Sequence, residues 1–239
     1  MVPDTTPAAL LARLVAADPG RPRVTVYDDT DGPTRGERVE LSARVVANWV
    51  AKAANLLQDE LDVSPGDTVR LGLPPHLRPL PLALAGWALR APLVPSPDPV
   101  GDPAVVVTDE PGTGDAPGRL VVVTLAALAR SAPEPVPAGA VDEARELATH
   151  GDVFVPWEDP DPAAAGLRTG GTEVTLGDLV PDATGPGERV HTSTTDTEAF
   201  LRTALAAWAG DGSVVLTRGT PDPEVLRRRL ASEGVTATA

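Results

Sequence analysis

The 239-residue chain has no cysteine, no isoleucine, one lysine (Lys52) and few aromatics, namely four tryptophans, two phenylalanines and one tyrosine. Without cysteine there is no disulfide, no thiolate metal site and no cysteine nucleophile. No apolar run reaches the roughly 18 residues that a membrane-spanning helix needs, and no basic segment precedes an apolar core at the N-terminus, so a cytoplasmic location is expected. Positive charge is also scarce. A formal net charge of −14 and a pI near 4.5 argue against nucleic acid or an anionic membrane as partner, because both are polyanions. His76, His150 and His191 form no HxxxH or HxH pair, and neither a G-x-S-x-G elbow nor a G-x-G-x-x-G fingerprint occurs.

What is present reads as alternating helices and strands. Leu10, Leu11, Leu14 and Val15 give helical spacing over Thr6–Ala17, which Asp18-Pro19-Gly20 stops. Arg23–Asp28 and Glu37–Leu41 read as a hairpin. Ser42 caps a helix with an apolar stripe (Val46, Trp49, Val50, Ala53, Leu56, Leu57) and a polar one (Arg44, Asn48, Lys52, Asn55, Asp59), expected to be a solvated face. A Ser64–Asp67 turn leads to a buried strand over Thr68–Leu73, and Leu80–Leu89 is apolar enough for a helix buried on most sides. Ala91–Ser96, Ala104–Thr108 and Leu120–Thr124 read as further strands, and Leu125–Arg130 as a short helix. Such alternation favours parallel sheets. Ser131–Ala140 is proline-rich, Asp142–Thr149 reads as a helix, and Glu158, Asp159 and Asp161 form an acidic loop broken by Pro160 and Pro162, read as solvent-facing chain rather than a metal site.

The second half echoes the first. Pro65-Gly66-Asp67 corresponds to Pro186-Gly187-Glu188, and Trp87 follows Val69 at the offset at which Trp208 follows Val190. Leu93-Val94 likewise matches Val214-Val215, and Val39–Ser42 matches Val174–Gly177. The expected fold is α/β, with two pseudo-repeated, mostly parallel sheet layers and flanking helices. The expected division is a first subdomain over residues 1–130, a proline-rich connection over 131–170 and a shortened second subdomain over 171–239, all packed as one unit. A helix over Pro221–Glu233 and the start of a strand at Val235–Thr238 close the chain.

Leu41-Ser42, Asn48, Gly66-Asp67, Leu73-Pro74 and Trp87–Pro97 resemble the N-terminal part of the adenylate-forming (AMP-binding, acyl-CoA synthetase-like) enzymes, and Gly212–Leu216, Asp222–Leu230 and Val235–Thr238 are similar to a later segment of them. Asn48-Trp49 and Pro74-Pro75-His76 resemble a group of short actinobacterial proteins of that lineage. The resemblance implies a phosphate-binding loop ending in Pro-Lys-Gly, whose remnant here is Arg168–Glu173, with Glu173 where the lysine belongs. Thr169, Gly170, Gly171 and Thr172, with the hydroxyl-rich His191, Thr192 and Ser193, are therefore the candidate phosphate or adenylate site, with ATP or AMP as its ligand. A plain Gly-rich loop and a helix-capping run explain the same residues without a ligand. A carboxylate facing a triphosphate costs about 1 kcal/mol when well solvated. The chain also stops before the family's Tyr-Gly-x-Thr-Glu motif and its C-terminal domain, so intact adenylation is not expected. The expected function is a non-catalytic binding or interaction module, as a homodimer or with a protein partner. The alternative is a residual acyl- or nucleotide-handling enzyme, a partial acid–CoA ligase that needs a separate C-terminal partner.

Overall fold

The computed structural model describes residues 6–95, 101–112, 119–182 and 187–239; Ser96, Pro97 and Pro186 lie outside them. Helix α1 (Pro7–Ala17) starts at Thr6, whose hydroxyl accepts the Ala9 N–H at 3.2 Å, a cap that contributes about 1 kcal/mol. Strands β1 (Pro22–Asp28) and β2 (Arg38–Ser42) form the expected hairpin. Ser42 then caps α2 (Ala43–Asn55), which continues as a π-helical turn over Leu56–Glu60. Strand β3 (Val69–Gly72), helix α3 (Pro79–Ala88) and strands β4 (Leu93–Pro95), β5 (Val105–Thr108) and β6 (Arg119–Val122) follow. Residues Pro79 to Trp87 are all buried, as their nearly uniform apolarity requires. Next come β7 (Val141–Asp142), α4 (Glu143–Glu146), and the antiparallel pair β8 (Ala165–Thr169) and β9 (Thr172–Thr175). The chain closes through β10 (Arg189–Thr192), α5 (Thr197–Ala209), β11 (Ser213–Arg218), α6 (Pro223–Ser232) and β12 (Ala237–Thr238).

These strands form two mostly parallel sheets, in the orders β7-β6-β5-β3-β4-β8-β9 and β12-β10-β11-β1-β2. The echo read from the sequence is therefore topological. Each sheet holds a parallel strand–helix–strand unit (β3-α3-β4 or β10-α5-β11), followed by a hairpin whose second strand is the antiparallel edge. The hairpins are exchanged along the chain. The N-terminal β1–β2 completes the sheet of the C-terminal half, while β8–β9 extends the sheet of the first half. A division by sequence at 130 and 171 thus does not coincide with the sheets, and α1, which contacts α2, α3 and α5, joins the helices of both.

One device recurs in both copies. The register of β1–β2 slips between Pro22 and Val24, and that of β8–β9 between Ala165 and Leu167. The skipped residues are Arg23 and Gly166. The Trp208 indole N–H donates to the Arg23 carbonyl at 2.9 Å, and the Trp87 N–H donates to the Gly166 carbonyl at 2.7 Å. At each bulge the hairpin ladder is interrupted, and the tryptophan indole N–H donates to the carbonyl of the bulged residue.

Two expectations need correction. Leu125–Arg130 forms no helix; it makes a turn in which Ala129 N–H donates to Ala126 O, and Leu128 is exposed. Six residues do not offset the cost of helix nucleation without a packing face. The polar stripe of α2 is not simply solvated either. Lys52 Nζ donates to His150 O and lies 3.0 Å from Asp152, and Asn55 Nδ2 donates to Gly151 O and Val153 O, both at 3.0 Å. The face is roofed by the 150–158 segment.

Candidate functional site

In parallel sheets, ligand crevices open beyond the carboxyl ends of the strands. There the structure holds a cleft of about 260 Å³ between the end of β3 (Leu71 to Pro74), Pro95 of β4 and the start of α5 (Thr195 to Glu198). Thr197 Oγ1 donates to Leu73 O at 2.6 Å and ties the helix start to the strand end. A smaller hollow beside it is walled mostly by apolar side chains, Leu71, Leu93, Pro95, Leu167 and Leu201, together with Thr197 and Glu198. The charged lining groups of the cleft are carboxylates. Asp196 accepts the Ala199 N–H at 2.7 Å as N-cap, and Glu198 lies 2.8 Å from Arg202. The positive end of the α5 dipole is thus already answered by the chain's own acids.

A second polar cluster gathers at the ends of β1 and β11. Asp28 accepts from Thr30 N at 2.9 Å and from Thr34 Oγ1 at 2.7 Å, and pairs with Arg218. Burial would raise its pKa, but the hydrogen bonds from Thr30 and Thr34 and the charge of Arg218 outweigh that and hold it below the ordinary value. His76 is buried; desolvation, then the charge of Arg218, lowers its pKa to about 3. It is neutral at pH 7, and its Nδ1 accepts the Arg78 N–H at 3.4 Å. Asp28 is thus engaged by Thr30, Thr34 and Arg218, and His76 is an unprotonated, weak base in a buried position.

The residues expected to form the site fall elsewhere. Thr169 and Thr172 face each other across the β8–β9 hairpin, and Gly170 and Gly171, at φ +54° and +78°, are the two residues of its turn. Positive φ at both central positions is the requirement of a tight hairpin turn, which explains the two glycines. Arg168 Nε donates to Glu173 at 3.0 Å across the hairpin, and its Nη1 donates to Thr68 Oγ1 at 3.2 Å. His191 is buried on β10 with Nε2 3.2 Å from Thr217 Oγ1, and burial lowers its pKa. Thr192 Oγ1 accepts the Thr194 N–H, Thr194 Oγ1 accepts the Asp196 N–H, and Ser193 is exposed. The hydroxyl run is thus a staircase of turns leading into the α5 cap. The two groups sit on different sheets, and neither lines the cleft. Among the described residues no cluster of His, Asp and Glu could hold a metal ion, and no helix is long and apolar enough to cross a membrane. Sequence reading missed the cleft because Leu71, Pro95 and Thr197 carry no motif. Only the joint position of three element ends marks it.

Two interleaved parallel sheets with this carboxyl-end cleft define an acyl-CoA synthetase-like fold. The structure resembles acetoacetyl-CoA synthetase from Streptomyces lividans (TM-score 0.71, 18% identity) and Brucella canis acyl-CoA synthetase (0.73, 17%). It also resembles a fatty acyl CoA synthetase of Mycobacterium tuberculosis (0.67, 14%). The chain is covered over 96–98% in these matches but spans only 42–49% of the synthetases' lengths, in keeping with their N-terminal domain. No family model matches it. A "TIGR03089 family protein" of Mycobacterium tuberculosis is 33% identical over 246 residues, covering 98% of each chain. The chain belongs to that family.

Proposed function

We propose that this chain is a non-catalytic binding module on the acyl-CoA synthetase fold, and that its cleft takes a neutral, partly apolar ligand of acyl type rather than a nucleoside triphosphate. The observation that carries this reading is the Gly170-Gly171 turn. A phosphate cradle needs several converging N–H groups and a cation, whereas this two-residue turn is closed by the Thr169–Thr172 pair, with Arg168 engaged by Glu173. Two further features support it. Lys52, the sole lysine, is held against His150 and Asp152. The rim of the cleft carries Asp196 and Glu198, which repel polyphosphate.

The expected results are no ATP–pyrophosphate exchange with a panel of carboxylic acids, and a rise in melting temperature with short acyl amides but not with ATP or AMP. A ligand bound only by the folded state must raise its apparent stability. Robust exchange by the purified chain overturns the reading. The position of the cleft at the carboxyl strand ends favours a second reading, a residual acyl- or nucleotide-handling enzyme completed by a separate C-terminal partner. Exchange that appears only when such a domain is added supports it. As an interaction module the chain would act in the cytoplasm, as a homodimer or with a protein partner.

A further inference from the structure

The 150–158 segment carries no regular secondary structure, yet it is laid along α2 in strand fashion. Gly151 O, Val153 O and Val155 O accept from Asn55 or Gln58, and Trp157 N–H donates to Gln58 Oε1 at 3.2 Å. The backbone groups of the odd-numbered residues therefore face the helix. Side chains alternate with the same period of two. Phe154 packs on the core, whereas Val153, Val155 and Trp157 stand 78%, 72% and 59% exposed. Such large apolar groups in a row on a soluble surface call for a partner. On the opposite edge, the N–H and C=O of Asp152 and Phe154 have no hydrogen-bond partner among the described residues. This is half of a sheet edge, with side chains of Lys52, Asn55 and Gln58 standing in for one neighbouring strand.

We propose that the open edge at Asp152 and Phe154 is a docking site for an extended, basic and apolar segment of a partner protein, bound by strand addition. Charge selects this occupant. Asp59, Glu60, Asp152, Glu158, Asp159 and Asp161 surround the segment, with Lys52 and Arg90 as the cations paired to Asp152, Glu158 and Asp161. A second copy would bring the same acids, on a chain of net charge −14, against them. A partner strand alternating apolar and cationic residues matches both the apolar row and the acidic fringe. Peptide capture here is separate from ligand binding in the cleft, and neither depends on the other.

The test uses the full chain and a fluorescein-labelled peptide alternating valine and lysine, read by fluorescence anisotropy. Binding is expected, and Trp157→Ser is expected to weaken it about tenfold. Asp159→Asn with Asp161→Asn is expected to weaken it several-fold, as is added salt. Methylating alternate backbone nitrogens of the peptide abolishes binding if strands pair, while circular dichroism checks that each variant stays folded. Equal binding of a valine–glutamate peptide, of the N-methylated peptide or by Trp157→Ser overturns the inference. So does a dimer in light scattering that Trp157→Ser dissolves, because the occupant is then a second copy.

Discussion

The two strand–helix–strand units share one frame and close it by different chemistry. In each, the tryptophan near the helix end binds the carbonyl of a bulged residue on the next strand, and the chain then turns through a positive φ, +60° at Arg90 and +62° at Asp211. In each, the residue after that turn donates back into the helix, Ala91 N–H to Gly86 O at 2.9 Å and Gly212 N–H to Ala207 O at 2.7 Å. The first copy then ends in backbone contacts under a fully apolar helix. The second is bound by arginines: Arg23, wholly buried, donates to Asp211 O, Gly212 O and the Asp211 carboxylate, and Arg13 donates to Trp208 O and Ala209 O. Backbone geometry is what the repeat preserves, and side-chain chemistry is free to diverge around it.

The sharpest way to break the comparison is at the residue after the turn. The first copy already carries Ala91, but a Cβ on Gly212 would lie 2.1 Å from Glu188 O and 2.8 Å from Ala207 O, both backbone atoms. Gly212→Ala is expected to cost about 2–4 kcal/mol in urea unfolding, through a forced backbone shift. The reciprocal change, Gly86→Ala, meets the flexible end of Leu93 at 3.1 Å and the Ala91 carbonyl oxygen at an ordinary 3.5 Å, and should stay within about 1 kcal/mol, because helix propensity offsets the squeeze. Equal costs would mean that the backbone around Gly212 yields to the added methyl and that close approach does not distinguish the second turn.

Next in size are Trp87→Phe and Trp208→Phe. Each removes a buried hydrogen bond to the carbonyl of a bulged residue, at about 1 kcal/mol, and the two costs should agree. A cost at one tryptophan alone means that the other indole only fills volume.

How much of this was legible in the sequence depends on range. The Ser42 cap, the β1–β2 hairpin and the Trp87/Trp208 echo could be read because each rests on neighbours or on self-similarity. The pairing of β1 with β11 could not, since parallel strands so far apart carry no local signal. The same holds for the site. Arg168–Glu173 looks like a loop remnant in sequence, but two glycines with positive φ make it a turn. The cleft and the edge at Phe154 arise only where distant elements meet.

The acid response should separate the two sheets. On the β1–β2 sheet, burial would raise the Glu233 pKa, but hydrogen bonds from Arg38, Tyr27 and Arg189 outweigh it and hold the carboxyl at about 2, against 4.5 ordinarily. A depressed pKa means stability that is present above pH 4.5 and lost as pH falls towards 2, about 1–2 kcal/mol after allowance for solvent screening. On the other sheet, burial raises the Glu143 pKa despite Arg78, so its contribution has the opposite sign, fullest below pH 4.5 and declining as pH rises. Glu233→Gln should flatten the fall in melting temperature between pH 5 and 3, and Glu143→Gln should steepen it. Identical pH profiles for the two variants would contradict these assignments.

The smallest expected effect concerns the roof over α2. Asn55→Ala removes two hydrogen bonds to Gly151 O and Val153 O, and Gln58→Ala removes those to Val155 O and Trp157 N–H. Gly151, Val153 and Val155 are exposed, so water can take up the bonds their carbonyls lose, and Asn55→Ala should cost under about 1 kcal/mol of global stability, with Gln58→Ala costing somewhat more because Gln58 is buried. Local opening is a different quantity. The 150–158 segment has only Phe154 in the apolar core, so releasing its backbone lowers the free energy of opening for that stretch alone. Hydrogen exchange at Trp157 should therefore accelerate, while amides of β3 and β11 keep their wild-type rates. Uniform acceleration across both sheets would instead mean that the segment unfolds only with the whole chain and is part of the core that α1 joins.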